Sequence, residues 1–420
     1  MSPRTNNFSR NVVWNIASLG LAGVCGVAVN YLVAAWYGAA TLGVFNQVFA
    51  IYIVVSQLAV LGIHGSVLYH AAASHTDTEK KAIVTSALEV TVVIALAMAV
   101  AFVALGTPFA MLLDSPDVAT GMWWAAPGLV CFAISKVVLA ALNASQHMRA
   151  YAIFQASRIV LMAVALGGCM LVGTAPTKLP VILSISEGIT LVCALVTIRA
   201  MVGRVPSAER ATWRTNHLRF GVRGFLAGLF GELNTRIDVI ILGAFATDAV
   251  VGAYSFAALI AEGMSQILSA LRANYAPIMV KHMADKDGAG LVRIVARARN
   301  RIYAGALALG AVSVLGYALV VPLITHDPYL QRSWIYFGIV MAGVVAASGY
   351  TPFNQLLLWA GRPGWHAVMI VIIVAFSAGA CTAFVAVGGA AGAAAGVAVT
   401  FAASAVLLKL MAARLLDLRI

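Results

Sequence analysis

Long apolar stretches alternate with short gaps along this chain, and every second gap is basic. Of the 27 Lys and Arg residues, 21 lie in those alternate gaps, whereas the intervening gaps hold only Lys178 and Arg332. Cytoplasmic loops of membrane proteins carry an excess of Lys and Arg. The pattern therefore predicts a chain threaded back and forth through a bilayer, with its basic gaps and both termini in the cytoplasm.

The composition supports a membrane environment and argues against other classes of protein. Hydrophobic residues make up 62% of the chain and charged residues 10%, against roughly 45–50% and 25% in soluble domains. The net charge of +12 is spread along cytoplasmic loops, where it meets membrane lipid headgroups, so we expect no nucleic-acid partner. The five cysteines lie in apolar stretches without metal-ligand spacing, so neither a disulfide nor a metal site is expected.

Twelve apolar stretches are long enough to span a bilayer, which takes roughly 20 residues of helix. The first stretch is longer than the apolar core of a cleaved signal peptide, so we expect it to be retained as a span. We predict an all-α polytopic membrane protein with about 12 transmembrane helices, in two pseudo-symmetric six-helix bundles around a central cavity. The predicted spans are 12–36, 42–70, 83–113, 118–142, 150–173, 179–201, 218–246, 249–280, 297–325, 331–359, 365–387 and 391–413.

The chain divides into two halves of similar pattern. Residues 204–217 have the composition of a cytoplasmic linker, which separates a bundle at 1–203 from a bundle at 218–420. A shift of 209 residues places Gly43 on Gly252 and the Ser56-Gln57 dipeptide on the dipeptide at 265–266. Each half has an even number of spans, so an axis along the membrane normal relates them, and a cavity open to one side at a time can form between them.

Once the charges assigned to the gaps and to the ends of the spans are subtracted, nine charged residues remain inside the predicted spans, where charge costs at least roughly 2.5–3.5 kcal/mol at mid-bilayer. Such residues usually face water or a bundle interior, so each is a candidate for function. They are Lys136, Arg158, Arg236 and Arg272 among the bases, and Glu89, Glu187, Glu232, Asp238 and Glu262 among the acids.

Lys136 and Arg158 lie about eleven residues on either side of His147, so at 1.5 Å per residue they are expected at the same depth. One interpretation is a cationic wall facing the cavity. The alternative is that each pairs with an acid such as Glu89 and merely locks helices together.

A second cluster is expected in the other half. Glu232 and Arg236 are four residues apart and should share a helix face, with Glu262 at similar depth and Asp238 nearer the outside. Either Arg236 contacts a substrate phosphate beside a proton- or sodium-linked acid, or the cluster is a neutralised interhelical ion pair. Arg272 is a further substrate contact or a side chain that snorkels to the interface.

Sequence motifs for enzymatic chemistry are missing. The chain has no Walker motif, no HExxH and no GxSxG, and none of its loops exceeds about 20 residues. We therefore expect no catalytic residue, no metal ligand and no cofactor.

Several short motifs resemble those of a known family. They are Arg219-Phe-Gly-Val-Arg223 followed by Arg236-Ile-Asp238, Gly252-Ala-Tyr254 and Ala257-Ala258, then Leu142-Asn-Ala-Ser-Gln146 with Arg149, and Trp359-Ala-Gly-Arg362. In length, helix count and these motifs the chain resembles the Wzx-type lipid-linked oligosaccharide flippases, which belong to the multidrug/oligosaccharidyl-lipid/polysaccharide (MOP) exporter superfamily.

The resemblance implies an alternating-access transporter, not an enzyme, of the bacterial inner membrane. Its cargo would be a polyprenyl-pyrophosphate-linked oligosaccharide for O-antigen, lipopolysaccharide or exopolysaccharide synthesis, with a polysaccharide polymerase and a chain-length regulator as candidate partners. Lys136, Arg158, Arg236 and Arg272 are then the expected pyrophosphate contacts, and Glu232, Asp238 and Glu262 the candidates for coupling. Two alternatives stay open: a multidrug or metabolite:cation antiporter of the same superfamily, and a membrane-embedded polysaccharide polymerase.

Overall fold

The computed structural model describes residues 3–203, 206–285 and 287–418, and this part of the chain is helical throughout, with no β-strand. The expected all-α class is confirmed. The first nine helices are α1 (Pro3–Tyr37), α2 (Ala39–Val60), α3 (Ile63–Ala73), α4 (Asp77–Ala104), α5 (Gly106–Leu112), α6 (Pro116–Ala144), α7 (Met148–Val172), α8 (Val181–Ile198) and α9 (Ser207–Asn234). The next seven are α10 (Ile237–Gly243), α11 (Asp248–Ala270), α12 (Arg272–Ala284), α13 (Gly288–Ile324), α14 (Pro328–Ser348), α15 (Leu356–Trp359) and α16 (Pro363–Leu416).

Ten helical segments among the described residues are long and apolar enough to cross a membrane, which makes the chain a multi-pass membrane protein. The difference from the predicted twelve has two sources. The 54-residue α16 is interrupted at Gly389, whose φ is 54°, and it contains both of the last two predicted spans. The predicted span at 218–246 falls on the end of α9 and the short α10, neither of which qualifies as a membrane-spanning helix by itself.

Four other predicted spans are not continuous helices either. The span at 83–113 breaks at Leu105, between α4 and α5. The span at 42–70 breaks between α2 and α3, where Leu61 and Gly62 both have positive φ. The span at 249–280 breaks at Leu271, and the one at 331–359 ends in a 3-10 turn followed by α15. Hydropathy detects an apolar stretch but does not register a short break in the helix inside it, so these breaks could not be predicted from periodicity.

The helices form two compact units. Unit 1 comprises the chain up to Tyr37 together with Val44–Glu232, and unit 2 comprises Gly38–Gly43 together with Leu233–Ile420. In unit 1, α6 is the central helix and packs against α3, α4 and α8. In unit 2, α14 packs against α11, α13 and α16.

The segment expected as a linker is mostly helical. Residues 207–217 form the first turns of α9, and they pack onto unit 1. His217 is fully buried, its Nε2–H donates to the Ile83 carbonyl at 3.0 Å, and its Nδ1 accepts from the Ser66 hydroxyl at 2.9 Å. Glu89 on α4 accepts from Arg210 at 2.9 Å and pairs with Arg214 as well.

The two segments related by the 209-residue shift contact each other within unit 2. A Cβ on Gly43 would lie 1.9 Å from the Asp248 carbonyl oxygen, and a Cβ on Gly252 would lie 2.1 Å from the Ala39 carbonyl oxygen. Because the shift maps 39 onto 248 and 43 onto 252, the two contacts are reciprocal, as a local two-fold axis requires. Both positions need glycine because the facing backbone leaves no room for a side chain.

Candidate functional site

The polar interior of unit 1 is built around one aromatic ring on α6. The Phe132 ring has Lys136 Nζ at 4.4 Å and the Arg158 guanidinium carbon at 3.8 Å from its centroid. Tyr52 of α2 stacks on the same ring with centroids 5.7 Å apart. Lys136 of α6 and Arg158 of α7 therefore approach the same ring, and their charged groups lie close to each other. The sequence had suggested this proximity because both residues were expected at the same depth in the membrane.

Arg158 has an acidic partner that is not Glu89. Its Nε donates to Glu187 Oε1 on α8 at 2.6 Å, and the Glu187 side chain is 3% exposed. Glu89, the partner suggested by the ion-pair alternative, instead contacts α9 through Arg210 and Arg214. The ion-pair alternative therefore describes Arg158, with Glu187 as the acid in place of the suggested Glu89. Glu89 is held by two arginines of α9, which the sequence could not show.

Lys136 has no carboxylate within salt-bridge distance among the described residues. Its Nζ donates to the Ser56 hydroxyl at 3.0 Å, and Ser56 in turn donates to the Ile53 carbonyl at 2.6 Å. Next to Ser56, the Gln57 amide donates to Glu232 Oε1 at 2.9 Å. Two more acids, Glu187 and Glu232, act on Lys136 at longer range.

Two buried polar atoms in this cluster have no hydrogen-bond partner in the described structure: Glu187 Oε2 and the Tyr52 hydroxyl oxygen. An unsatisfied buried polar group costs about 1–3 kcal/mol, and more when it is charged. Water or a polar ligand that reached these atoms would recover part of that cost. The cluster therefore keeps two polar atoms that a further hydrogen-bond partner would stabilise.

The cluster of unit 2 has a different arrangement. Arg236 Nη1 lies 3.7 Å from Glu262 Oε2, and both side chains are partly exposed. Because α9 ends at Asn234 and α10 begins at Ile237, Glu232 lies on α9 whereas Arg236 lies at the break, so the argument that they share one helix face does not extend to Arg236. Arg236 itself is the non-helical residue at the break, with φ −133°.

Asp238 connects two of the motifs that carried the family resemblance. It is buried on α10, and its Oδ2 accepts from the Tyr254 hydroxyl on α11 at 2.5 Å. The Arg-x-Asp and Gly-x-Tyr motifs therefore meet through a hydrogen bond. Gly252 of the second motif is the residue whose lack of a side chain permits the contact with Ala39.

Arg272 is the first residue of α12, directly after the break at Leu271. Its Nη1 donates to the Asn354 side-chain oxygen at 3.4 Å. Within unit 2 the structure therefore gives this arginine a neutral partner.

Sequence reasoning missed the contributions of Glu187, Phe132 and Ser56. Glu187 was one of nine charges in the predicted spans, and nothing in the sequence pointed to Arg158 as its partner. A single phenylalanine in an apolar helix likewise gives no indication of a polar site. Ser56 and Gln57 did carry a signal, since their dipeptide recurs at 265–266. That recurrence indicated the repeat but not the polar contacts.

Comparisons with known proteins agree with this fold. The profile described as polysaccharide biosynthesis protein matches residues 8–283. Comparison with curated proteins finds no match. Among solved structures, the chain is similar to an inward-facing multidrug resistance MATE family transporter of the MOP superfamily, with TM-score 0.72 and 14% identity over 93% of this chain and 92% of that one.

Two further solved structures have the same fold. The lipid II flippase MurJ, in an inward closed conformation, has TM-score 0.74 and 11% identity over 95% of this chain and 87% of that one. A MOP superfamily transporter from Pyrococcus furiosus has TM-score 0.64 and 14% identity over 94% of this chain and 93% of that one. At these identities the likeness shows the fold, whereas the profile covers well over half of the chain. The chain belongs to the polysaccharide biosynthesis protein family and has the MOP superfamily fold.

Proposed function

We propose that this protein flips a polyprenyl-pyrophosphate-linked oligosaccharide across the membrane by alternating access. The observation that carries the proposal is the pair of bases at the Phe132 ring, Lys136 and Arg158. Both offer N–H donors, and charge-assisted hydrogen bonds to phosphate are roughly twice as strong as neutral ones. Membership in a polysaccharide biosynthesis family supports a saccharide cargo, and the fold shared with a lipid II flippase supports a lipid-linked one.

Two further bases and three acids complete the proposed site. Arg236 and Arg272 are the proposed second set of pyrophosphate contacts, since each stands at a helix break where the backbone is irregular. Broken helices that line a cavity form the binding sites of many transporters. Glu232, Asp238 and Glu262 are the proposed coupling residues because each is an acid inside or next to a predicted span.

The proposal extends to the setting of the protein. We place it in the bacterial inner membrane with both termini in the cytoplasm, on the charge pattern of its loops. The two halves, 1–203 and 218–420, are proposed to move against each other with 204–217 as the connection. O-antigen, lipopolysaccharide and exopolysaccharide precursors are all compatible cargoes, and a polymerase and a chain-length regulator are the proposed downstream partners.

A multidrug or metabolite:cation antiporter is the second candidate, supported by the fold of the MATE family transporter. It would select organic cations. Electrostatics disfavours a cationic cargo at the Phe132 ring, because like charges repel strongly where the dielectric constant is low. A membrane-embedded polymerase is the third candidate, and the short loops give it little room for a catalytic domain.

Transport into proteoliposomes tests the proposal. The purified protein should move a fluorescent polyprenyl-pyrophosphate disaccharide between leaflets and should leave ethidium unmoved. Lys136→Ala and Arg158→Gln should each abolish flipping, whereas Lys178→Ala in an outer gap should not. Ethidium transport without lipid flipping would support the antiporter, and full flipping by a Lys136→Ala/Arg236→Ala variant would overturn the site assignment.

A further inference from the structure

The Arg158–Glu187 pair occupies the place that the cargo needs. Arg158 uses Nε for Glu187 at 2.6 Å and lies over the Phe132 ring. Glu187 is 3% exposed, and its second oxygen, Oε2, is buried without a hydrogen-bond partner in the described structure. A carboxylate of the chain itself therefore neutralises one of the bases proposed to bind the pyrophosphate.

Charge balance makes this pair sensitive to an anion. Lys136, Arg158, Glu187 and Glu232 sum to zero when all four are ionised. A pyrophosphate diester adds two negative charges, and one of its phosphates would lie beside Glu187 if it bound Arg158. Two anions in contact inside a membrane protein repel far more than they would in water, so the carboxylate must move away or lose its charge.

We propose that Glu187 is an internal counterion of the cargo site, which the pyrophosphate displaces from Arg158 and which takes up one proton as it is displaced. This inference rests on the proposed function. One O–H bond forms on the Glu187 carboxyl with a proton from solvent, and Arg158 keeps its charge and turns its N–H donors to the phosphate. Cargo binding is thereby coupled to the uptake of a proton.

The groups around Glu187 make it a better candidate for this proton than Glu232. Those that act on it are Arg158 on α7, Lys136 and Cys131 on α6, and Tyr52 on α2. Of these, Arg158 alone forms an ion pair with Glu187, and Arg158 is the residue that the cargo would bind. Glu232 accepts from the Gln57 amide, and Arg158 holds Glu187 and not Glu232.

Calorimetry of the full-length protein in detergent tests the proposal. The probe is N-acetylglucosamine esterified to farnesyl pyrophosphate, a diester whose phosphates do not titrate near neutral pH. Titrations in two buffers with different ionisation enthalpies count the protons taken up. The wild type should take up about one proton per cargo, and its affinity should fall about tenfold per pH unit as the pH rises.

Three variants locate the proton. Glu187→Gln should bind without proton uptake and with a flat pH profile, whereas Glu232→Gln and the exposed control Glu209→Gln should keep the wild-type slope. Binding without proton uptake in the wild type, or a flat profile in Glu232→Gln, would overturn the inference and leave the proposed function standing. Failure of both the wild type and Glu187→Gln to bind would overturn both. If Glu187→Gln does not fold, the pH dependence of affinity in the wild type and in Glu232→Gln decides whether the inference holds.

Discussion

Arg158 of unit 1 and Arg236 of unit 2 are both arginines paired with glutamates, but the two pairs differ in kind. Arg158 Nε lies 2.6 Å from a Glu187 side chain that is 3% exposed, whereas Arg236 Nη1 lies 3.7 Å from a Glu262 side chain that is 33% exposed. In the first pair the glutamate is buried and in direct contact with its arginine, whereas in the second the charged atoms lie farther apart and the glutamate is partly exposed. The sequence pattern does not distinguish the two pairs. The burial of the glutamate does.

The buried acids also differ in what holds them. Glu187 is held by a cation that an anionic cargo would compete for. Asp238 is held by the neutral Tyr254 hydroxyl at 2.5 Å. An anionic cargo would gain little by taking this neutral donor, and the hydrogen bond joins the Arg-x-Asp and Gly-x-Tyr motifs. The comparison teaches that an anionic cargo would compete for the partner of Glu187 but not for the partner of Asp238.

The largest expected difference concerns the two arginines. Arg158→Ala leaves Glu187 buried without its partner and should cost about 3–5 kcal/mol of stability. Arg236→Ala should cost no more than about 1 kcal/mol, since its partner is partly exposed. Chemical denaturation in detergent measures both. Adding Glu187→Ala to Arg158→Ala should restore much of the loss; equal losses in the two single variants would remove the distinction between the pairs.

Acid should weaken unit 1 through His217, which lies just before the predicted span. Burial lowers the pKa of His217 to about 4, below its value of about 6.5 in an unfolded chain. The unfolded state therefore binds a proton that the folded state excludes, so stability is complete above pH 6.5 and falls by up to about 3 kcal/mol as the pH drops to 4.

Asp287 of unit 2 offers the contrast. The Gly290 N–H lowers the pKa of this exposed carboxyl, so its contribution is lost only as the pH falls through that lowered pKa. Hydrogen exchange corrected for intrinsic rates should show α9 opening between about pH 6.5 and 4 before the α12–α13 turn responds. A His217→Gln variant should lose this dependence, and a persistent effect in it would assign the pH sensitivity to another group.

Two fully buried tyrosines give a matched pair of smaller effects. Tyr254→Phe removes the donor to Asp238 Oδ2 and should cost about 1–3 kcal/mol. Tyr52→Phe removes a hydroxyl that has no hydrogen-bond partner in the described structure, so it should be neutral or stabilising. Thermal unfolding in detergent compares them. A larger loss for Tyr52→Phe would mean that an ordered water or ligand satisfies its hydroxyl.

The membrane class and the level of the two bases in unit 1 could be predicted from the sequence. Basic gaps report topology because the membrane itself imposes the charge asymmetry, and helical rise alone places Lys136 and Arg158 at one depth. Each of these arguments considers one segment of the chain by itself. Neither needs to know which helices are neighbours.

The partners of the buried charges could not be predicted, because they depend on helix packing and on helix breaks. Glu187 reaches Arg158 because α8 packs on α7, and Glu89 meets α9 because residues 207–217 are helical and fold back onto unit 1. The helix-face argument for Glu232 and Arg236 failed at two residues, 235 and 236, between α9 and α10. A break this short leaves almost no trace in hydropathy.

The smallest effect is expected at the repeated Ser-Gln dipeptide. Ser56 accepts from Lys136 Nζ at 3.0 Å in unit 1. Its repeat equivalent Ser265 follows Glu262 by three residues on α11 and accepts no hydrogen bond from a lysine among the residues that the structure describes. Ser56→Ala should weaken binding of a farnesyl pyrophosphate sugar by about fivefold, the value of one hydrogen bond of about 1 kcal/mol, because Lys136 loses the acceptor that fixes its ammonium group. Ser265→Ala should bind as the wild type does. Calorimetry at one pH separates the two, and equal losses would mean that the dipeptide serves the repeat and not the cation.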